Sequence, residues 1–332
     1  MTTVLVTGGA GYVGSHTCLA LAEAGFTPVV YDNLCNGHAA FVQWGPLERG
    51  DVRDGVRLDA VIAAHRPAAV IHFAAFAEIA ESIAHPGRYY DNNVGGSIAL
   101  IEGARRGGID KFVFSSSCAT YGDPVRIPMD EDHPQVPLNP YGRSKLMVEQ
   151  ALGDYAAFAG LRSVSLRYFN AAGADVGGRI GERHARETRA IPLAILSAMG
   201  VRPAFTIFGD DYDTPDGTAI RDYTHVDDLA RAHVAAVRHL MEGGSGGTIN
   251  LGTGHGTSLR DMIAAIERVT GSVVPVEVVA RRIGEASAAV ADVRRAEGVL
   301  GWQAKLTLDD IVRSAWRWHA TEQGPISPPG AR

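Results

Sequence analysis

"VLVTGGAGYVGSHTCLALAEAGF" runs from Val4 to Phe26, and its reading decides the fold. A short apolar strand breaks at glycines, and from Tyr12 to Ala24 the apolar residues recur at helical spacing. Gly8, Gly11 and Gly14 therefore fall between a strand and a helix. Glycines in that place permit a tight turn, let backbone N–H groups approach a pyrophosphate, and let the helix pack closely on the strand. The helix N-terminus then faces the anion. A glycine triplet alone is weak evidence; the strand–turn–helix setting gives it weight.

Outward from this stretch the same rhythm continues. "PVVYDN", "AAVIHFAA", "KFVFSSS" and "SVSLRYFN" read as strands, the second of them apolar throughout, as a strand buried on both faces must be. "NNVGGSIALIEGARRGG" reads as a helix stopped by glycine, and Pro140 to Phe158 as a helix with proline in its first turn. Alternation of this kind predicts an α/β fold with a doubly wound parallel (Rossmann-type) sheet. After Asn170 the rhythm breaks, and Gly and Arg become dense between Gly173 and Arg189. A smaller α/β C-terminal substrate domain is expected there. "TSLRDMIAAIERVTG" and "LTLDDIVRSAWRWHATEQ" are its clearest helices, each opening on an N-terminal capping pattern. The expected division is residues 1–170 for the dinucleotide, 171–328 for the substrate with some segments returning to pack on the first, and 321–332 as a frayed tail.

Composition narrows the function classes. The 332 residues allow two lobes, and 46% apolar with 20% charged residues suits a soluble globular protein. A net charge of −6 argues against a general nucleic-acid binder. No apolar run approaches membrane-spanning length, and the N-terminal segment reads as a strand rather than a signal peptide. Cys18, Cys35 and Cys118 are odd in number and widely spaced, matching neither a disulfide framework nor a metal site. Free thiols in a reducing cytoplasm are expected.

Asp32 ends the second strand. A carboxylate there accepts both adenosine ribose hydroxyls and repels a 2′-phosphate, which favours NAD over NADP, although "YDN" also suits a plain turn. Asp51 in "GDVRD" is a candidate partner for adenine, and "FAA" from Phe73 places small residues at a strand end where a ligand would lie. The candidate cofactor set also takes in Tyr12, Val13, Asn33, Val52, Ala74 and Tyr168. The strand "KFVFSSS" ends in serines with its C-terminal end at the same crevice, so Ser117 and Thr120 are candidates near Tyr141 and Lys145, four residues apart on the following helix. Hydride transfer at a carbinol carbon wants this set. A tyrosine with a pKa of about 10 is a poor base at neutrality unless a nearby ammonium favours the phenolate. Such a Tyr–Lys pair on an arbitrary helix is usually surface dressing; its setting argues otherwise.

"TGGAGYVGS", "SSSCATYG" and "YGRSK" together resemble the extended short-chain dehydrogenase/reductase superfamily. "YDNLCNG", "HFAAFAEIAESI", "LRYFNAAGAD" and above all "DYDTPDGTAIRDYTHVDDLA" are similar to its nucleotide-sugar 4-epimerases, over nearly the whole chain from Thr2 to about Trp318. The resemblance implies Tyr141 as base with Ser117 and Lys145 as partners. It implies Asp32, Asn36, Asp51 and Asn92 on NAD, Asn170 on the substrate, and Arg221 and Arg282 on the nucleotide diphosphate, with Arg281 as an alternative to Arg282. A pyrophosphate bound by an acidic protein calls independently for forked, charged donors of the arginine type. The implied reaction interconverts UDP-glucose and UDP-galactose through a 4-keto sugar with NAD retained, in the cytoplasm, by a homodimer, in galactose metabolism.

Neighbouring readings are another UDP-sugar (N-acetylglucosamine, pentose or glucuronate), a dehydratase or reductase, and a non-catalytic nucleotide sensor. Dehydratases of the superfamily usually place Asp and Glu where Cys118 and Ala119 stand, and a dead sensor usually loses the tyrosine or the lysine. Departures from the pattern bear on the sugar. Glu285 replaces an aspartate on the ribose side, Ala289 suggests a wider pocket around the 2-substituent, and Arg189 and Ala190 stand where His or Asn and Leu are common. Ala77 stands where some relatives carry a lysine.

Overall fold

The computed structural model describes residues 2–281 and 286–323. Arg282 and Glu285, two of the sequence-derived substrate candidates, lie outside the described residues, as do residues 324–332 of the anticipated tail.

The first part of the chain lays down β1 (Thr2–Thr7), α1 (Tyr12–Glu23), β2 (Phe26–Asp32), β3 (Leu47–Arg49), α2 (Gly55–His65) and β4 (Ala69–His72). Then follow α3 (Ile79–Ala84), α4 (Pro86–Tyr89), α5 (Gly96–Arg106), β5 (Lys111–Ser117), α6 (Pro140–Ala159) and β6 (Arg162–Tyr168). Beyond them come β7 (Asn170–Ala172), α7 (Ala190–Ala198), β8 (Phe205–Phe208), β9 (Ile220–Arg221), β10 (Tyr223–His225), α8 (Val226–Met241) and β11 (Gly247–Leu251). The chain closes with β12 (Thr257–Ser258), α9 (Leu259–Thr270), β13 (Val276–Val279), β14 (Ala288–Ala289), α10 (Arg294–Leu300) and α11 (Leu308–Gln323).

The main sheet runs β11-β6-β5-β4-β1-β2-β3, parallel at every pairing. Chain order reverses between β1 and β4, which opens a crevice at the C-terminal ends of those strands. The apolar strands explain the layers. Val4 and Val6 of β1 face a core shared with α1 and α8, while Leu5 faces the core of α2, α5 and α6; all three are fully buried. The strand period of two sends successive side chains to opposite helical layers, so both faces must be apolar. Truncating Leu5 to Ala should cost about 2–5 kcal/mol.

Two elements from late in the chain serve this first layer: α8 packs on α1, and β11 extends the sheet beside β6. A separate core joins α7, α9 and α11 through Ile191, Ile195, Met262, Ile266, Ile311 and Val312. Local signals bound α9 as the sequence suggests. Ser258 caps α9 by accepting from the Asp261 amide, and Gly271 closes it in the left-handed region. The expected helix from Asn92 is subdivided: Tyr90–Gly95 form a π-helical turn before α5 begins. Buried Asn93 explains the widened turn, because its amide grips the Phe76 backbone at N and O and donates to Ser144. Among the described residues no helix is long and apolar enough to cross a membrane.

Candidate active site

The glycine turn is built as an anion cradle. Gly11 is the N-cap of α1 and offers no side chain to the first-turn amides, so those N–H groups point into the crevice. Gly8 holds φ +72°, and a Cβ there would stand 2.6 Å from the Ala74 nitrogen. A Cβ on Gly14 would stand 2.3 Å from the Gly8 carbonyl oxygen. Only glycine fits either place. Val13 opens the same first turn, and Tyr12 donates from its hydroxyl to the Gly173 carbonyl at 2.6 Å, tying the cradle to the later half of the chain.

Asp32 lies at the end of β2, only 8% exposed. Burial raises its carboxyl pKa, while the amides of Leu34 and Ala10 donate to its two oxygens and hold it down. One lone pair per oxygen is left for a ribose. Asn33 donates to Asp51 at 3.1 Å, and Arg53 beside Asp51 holds that carboxyl far below the usual range. Val52 is buried and Asn36 exposed on the same rim. Phe73, after β4, packs 4.6 Å from the His233 ring, and Asn92 is buried in the π-turn with its amide on Asn93. These groups fit a dinucleotide: anion cradle, buried acid at the second strand end, and small residues over the switch point.

On the neighbouring strand end, Ser117 lies beside the Tyr141 phenol and acts to lower its pKa. Lys145 is 3% exposed, donates to the Ser115 carbonyl at 2.7 Å, and stands 5.9 Å from the centre of the Tyr141 ring. The helix N-cap Asn139 accepts from the Gly142 amide, which fixes where α6 starts and therefore where Tyr141 sits. Burial drives the Tyr141 phenol well above the usual tyrosine range; Ser117 and the positive charge of Arg189 act against it. Burial pushes Lys145 down to about 7, opposed by the charge of Glu149. The ammonium is thus aimed at a backbone carbonyl, and the expectation that it alone would favour the phenolate gives way to a wider set of groups. Tyr168 hydrogen-bonds Ser115 at 2.6 Å from β6. Thr120 does not face the crevice: it is fully buried and donates to the Ser117 carbonyl.

Across the crevice, the Asn170 amide donates to the Asp222 carbonyl, and Arg221 donates to the Ile220 carbonyl at 2.8 Å. Arg281 is bound to Asp211 through Nε and stacks on Tyr212. Three features have no counterpart in the sequence reading. Asp222, fully buried, accepts from Thr253, Gly254 and Ala291 and so organises the loop beside Arg221. Glu149 and Arg167 form a buried pair beneath Lys145. Glu182, His184 and Glu187 bring ligand-type atoms within 4.8 Å of one another, with Glu182 and His184 hydrogen-bonded at 2.9 Å. Of these only Glu149 carried a sequence signal, its place one turn beyond Lys145.

The comparisons with known proteins agree with this geometry. The model of the NAD dependent epimerase/dehydratase family matches residues 4–252. The UDP-glucose 4-epimerase of Rhizobium leguminosarum bv. trifolii is 57% identical over 96% of this chain and 97% of its own length. The crystal structure of UDP-glucose 4-epimerase from Brucella ovis in complex with NAD superposes with a TM-score of 0.93 at 51% identity, covering 95% of this chain and 98% of that one. The Stenotrophomonas maltophila UDP-glucose-4-epimerase with bound NAD and formylated UDP-arabinopyranose superposes at 0.95 with 41% identity, covering 97% and 99%.

Proposed function

The chain belongs to the NAD-dependent epimerase/dehydratase family, among its UDP-glucose 4-epimerases, and from that premise we propose that it interconverts UDP-glucose and UDP-galactose through a transient 4-keto sugar. Bound NAD, held by the residues named below, would supply the hydride acceptor. Tyr141 takes the proton of the sugar 4-hydroxyl and later returns it. Ser117, beside that phenol, orients the hydroxyl and shares the proton. Lys145 steadies the serine strand end and reaches the cofactor ribose. Gly8, Gly11, Tyr12, Val13 and Gly14 cradle the pyrophosphate, and Asp32 takes the adenosine ribose. Asn33, Asn36, Asp51, Val52, Phe73, Ala74, Asn92 and Tyr168 complete the cofactor wall. Asn170, Arg221, Arg282 and Glu285 hold the nucleotide of the substrate, so the sugar is free to present either face. Residues 1–170 serve the cofactor and 171–328 the UDP-sugar, with α8 and β11 returned to the first layer.

The observation that carries this reading is the convergence of Ser117, Tyr141 and Lys145 beside the uncapped α1. Proton NMR of C4 configuration, with UDP-glucose, UDP-galactose, their N-acetylamino forms and UDP-pentoses as substrates, tests it. Tyr141→Phe should lower kcat by about 10²–10⁴-fold and leave UDP binding intact; an unchanged rate overturns the assignment.

Acceptance of 2-N-acetyl sugars is a second reading, favoured by one observation. Ala289 is the strand partner of Arg221, so a methyl stands beside the proposed diphosphate ligand. A cytoplasmic homodimer working in galactose metabolism completes the proposal. Met147 at 46% and Phe158 at 88% exposure on α6 support a subunit contact through that helix. Sedimentation of the purified protein tests it.

A further inference from the structure

Beneath the catalytic pair, α6 carries a third residue on the same face. Tyr141, Lys145 and Glu149 are spaced at i, i+4 and i+8, so they stack along one side of the helix. Each meets a different residue of the serine tract. Tyr141 lies beside Ser117, Lys145 donates to the Ser115 carbonyl, and Glu149 accepts from the Ser116 hydroxyl at 2.5 Å. Glu149 is in turn gripped by Arg167 of β6, whose Nε lies 2.9 Å and 3.2 Å from its two oxygens, and it also accepts from Gln135. The side chains of Arg167 and Glu149 are only 4% and 7% exposed. Arg167 is fixed from behind by the Tyr121 hydroxyl, itself bonded to Asn250.

The charges around the Lys145 ammonium are few. On β4, His72 is engaged by Thr7 and Ser97, and burial together with Lys145 keeps it neutral. The Tyr168 phenol of β6 bonds Ser115, and burial keeps it protonated. The Phe114 ring lies 4.8 Å from Nζ. Tyr141 and Glu149 complete the surroundings from α6 itself, and Glu149 is the one carboxylate among them.

We propose that Glu149 is a positioning residue for the reaction: anchored by Arg167 and Ser116, it supplies the negative charge against which Lys145 is held as an ammonium over the serine strand end. The proposal rests on the roles given above to Tyr141 and Lys145. It assigns Glu149 no contact with sugar or cofactor. The buried Glu149–Arg167 pair then serves more than stability, since a pair of this kind can often be replaced by neutral residues at little cost to the fold.

The test compares pH profiles of kcat for wild type, Glu149→Gln, Glu149→Asp and the double variant Glu149→Gln/Arg167→Gln, with Tm and retained NAD measured on each. Lys145 loses its proton as pH rises, and removing the opposing charge moves that loss lower. The alkaline limb of Glu149→Gln should therefore move down by about one pH unit with KM little changed. Glu149→Asp keeps the charge and should keep most of the wild-type limb. The double variant removes the orphaned guanidinium, so it should recover Tm while its limb stays displaced. Recovery of both Tm and limb overturns the proposal, leaving a merely structural pair, and so do superimposable profiles. If Glu149→Gln fails to fold, the comparison of Glu149→Asp with wild type decides: an alkaline limb moved upward, or a loss confined to KM, overturns it. Tyr141→Phe run alongside separates the two levels, because full activity there would defeat the catalytic assignment itself.

Discussion

The two walls of the crevice are built differently. The wall made by β5 and α6 is closed and saturated: Ser117 is 8% and Lys145 3% exposed, Ser116 ties the strand to Glu149 of the helix, and a buried ion pair ties that helix to the neighbouring β6. The facing wall, from residues 170 to 190 and 220 to 222, is largely loop with two short strands. Arg189 there is 40% exposed and meets Glu78 only at 3.5 Å. Rigid elements hold groups within the fraction of an ångström that proton transfer demands, whereas looser ones tolerate a sugar that must turn over. On the proposed function, the first wall carries the chemistry and the second the substrate identity.

The largest expected effect comes from the cradle that serves the rigid wall. In Gly14→Val the new side chain would meet the Gly8 carbonyl oxygen and the Gly9 Cα, both backbone, at 2.3 and 2.9 Å. Helix α1 would have to leave β1, at a cost of about 3 kcal/mol or more. Protein prepared this way should carry no NAD, as read by nucleotide released on denaturation; a full complement would mean that the first wall yields after all. The next effect tests the one saturated point of the facing wall. Asp222→Asn turns an acceptor towards the amides of Thr253, Gly254 and Ala291 as a donor, and should cost roughly 2 kcal/mol in chemical unfolding. Arg221→Lys should follow, raising KM for the UDP-sugar by about 10-fold with kcat nearly unchanged, since a lysine cannot supply a fork to a diphosphate. A fall in kcat with KM unaltered would place Arg221 in the chemistry and dissolve the division between the walls.

Sequence alone reached the rigid wall far better than the loose one, for physical reasons. The glycine turn, the strand ends and the i, i+4 pair are local patterns, each decided within about ten residues, and their chain order fixes a doubly wound sheet. Arg167 could not be matched to Glu149 in this way, because the contact depends on β6 lying beside β5. Asp222 was invisible for the same reason: its donors come from residues 253, 254 and 291. Thr120 was misplaced because a residue after a strand can turn inward, and here it bonds back to the Ser117 carbonyl. The return of β11 to the main sheet needed a strand signal in "GTINL", where the sequence offered only two apolar residues, Ile249 and Leu251, between polar ones.

The smallest effect is the sharpest test of the comparison. Arg189 precedes α7, and its guanidinium lowers the Tyr141 phenol from across the crevice without touching it. Its charge therefore favours proton loss from Tyr141, and Arg189→His, neutral at alkaline pH, should move the acid limb of kcat to higher pH. The side chain is 40% exposed, so solvent screens that influence, and a change of about 2- to 3-fold in kcat/KM is expected at low salt. At high ionic strength wild type and variant should converge, because an exposed charge acts through water while the Glu149 carboxylate does not. A loss above about 10-fold that salt does not diminish would show Arg189 gripping the substrate directly. The facing wall would then be as closely organised as the wall of Tyr141, and sugar choice would have to be sought in how tightly both walls hold rather than in which one yields.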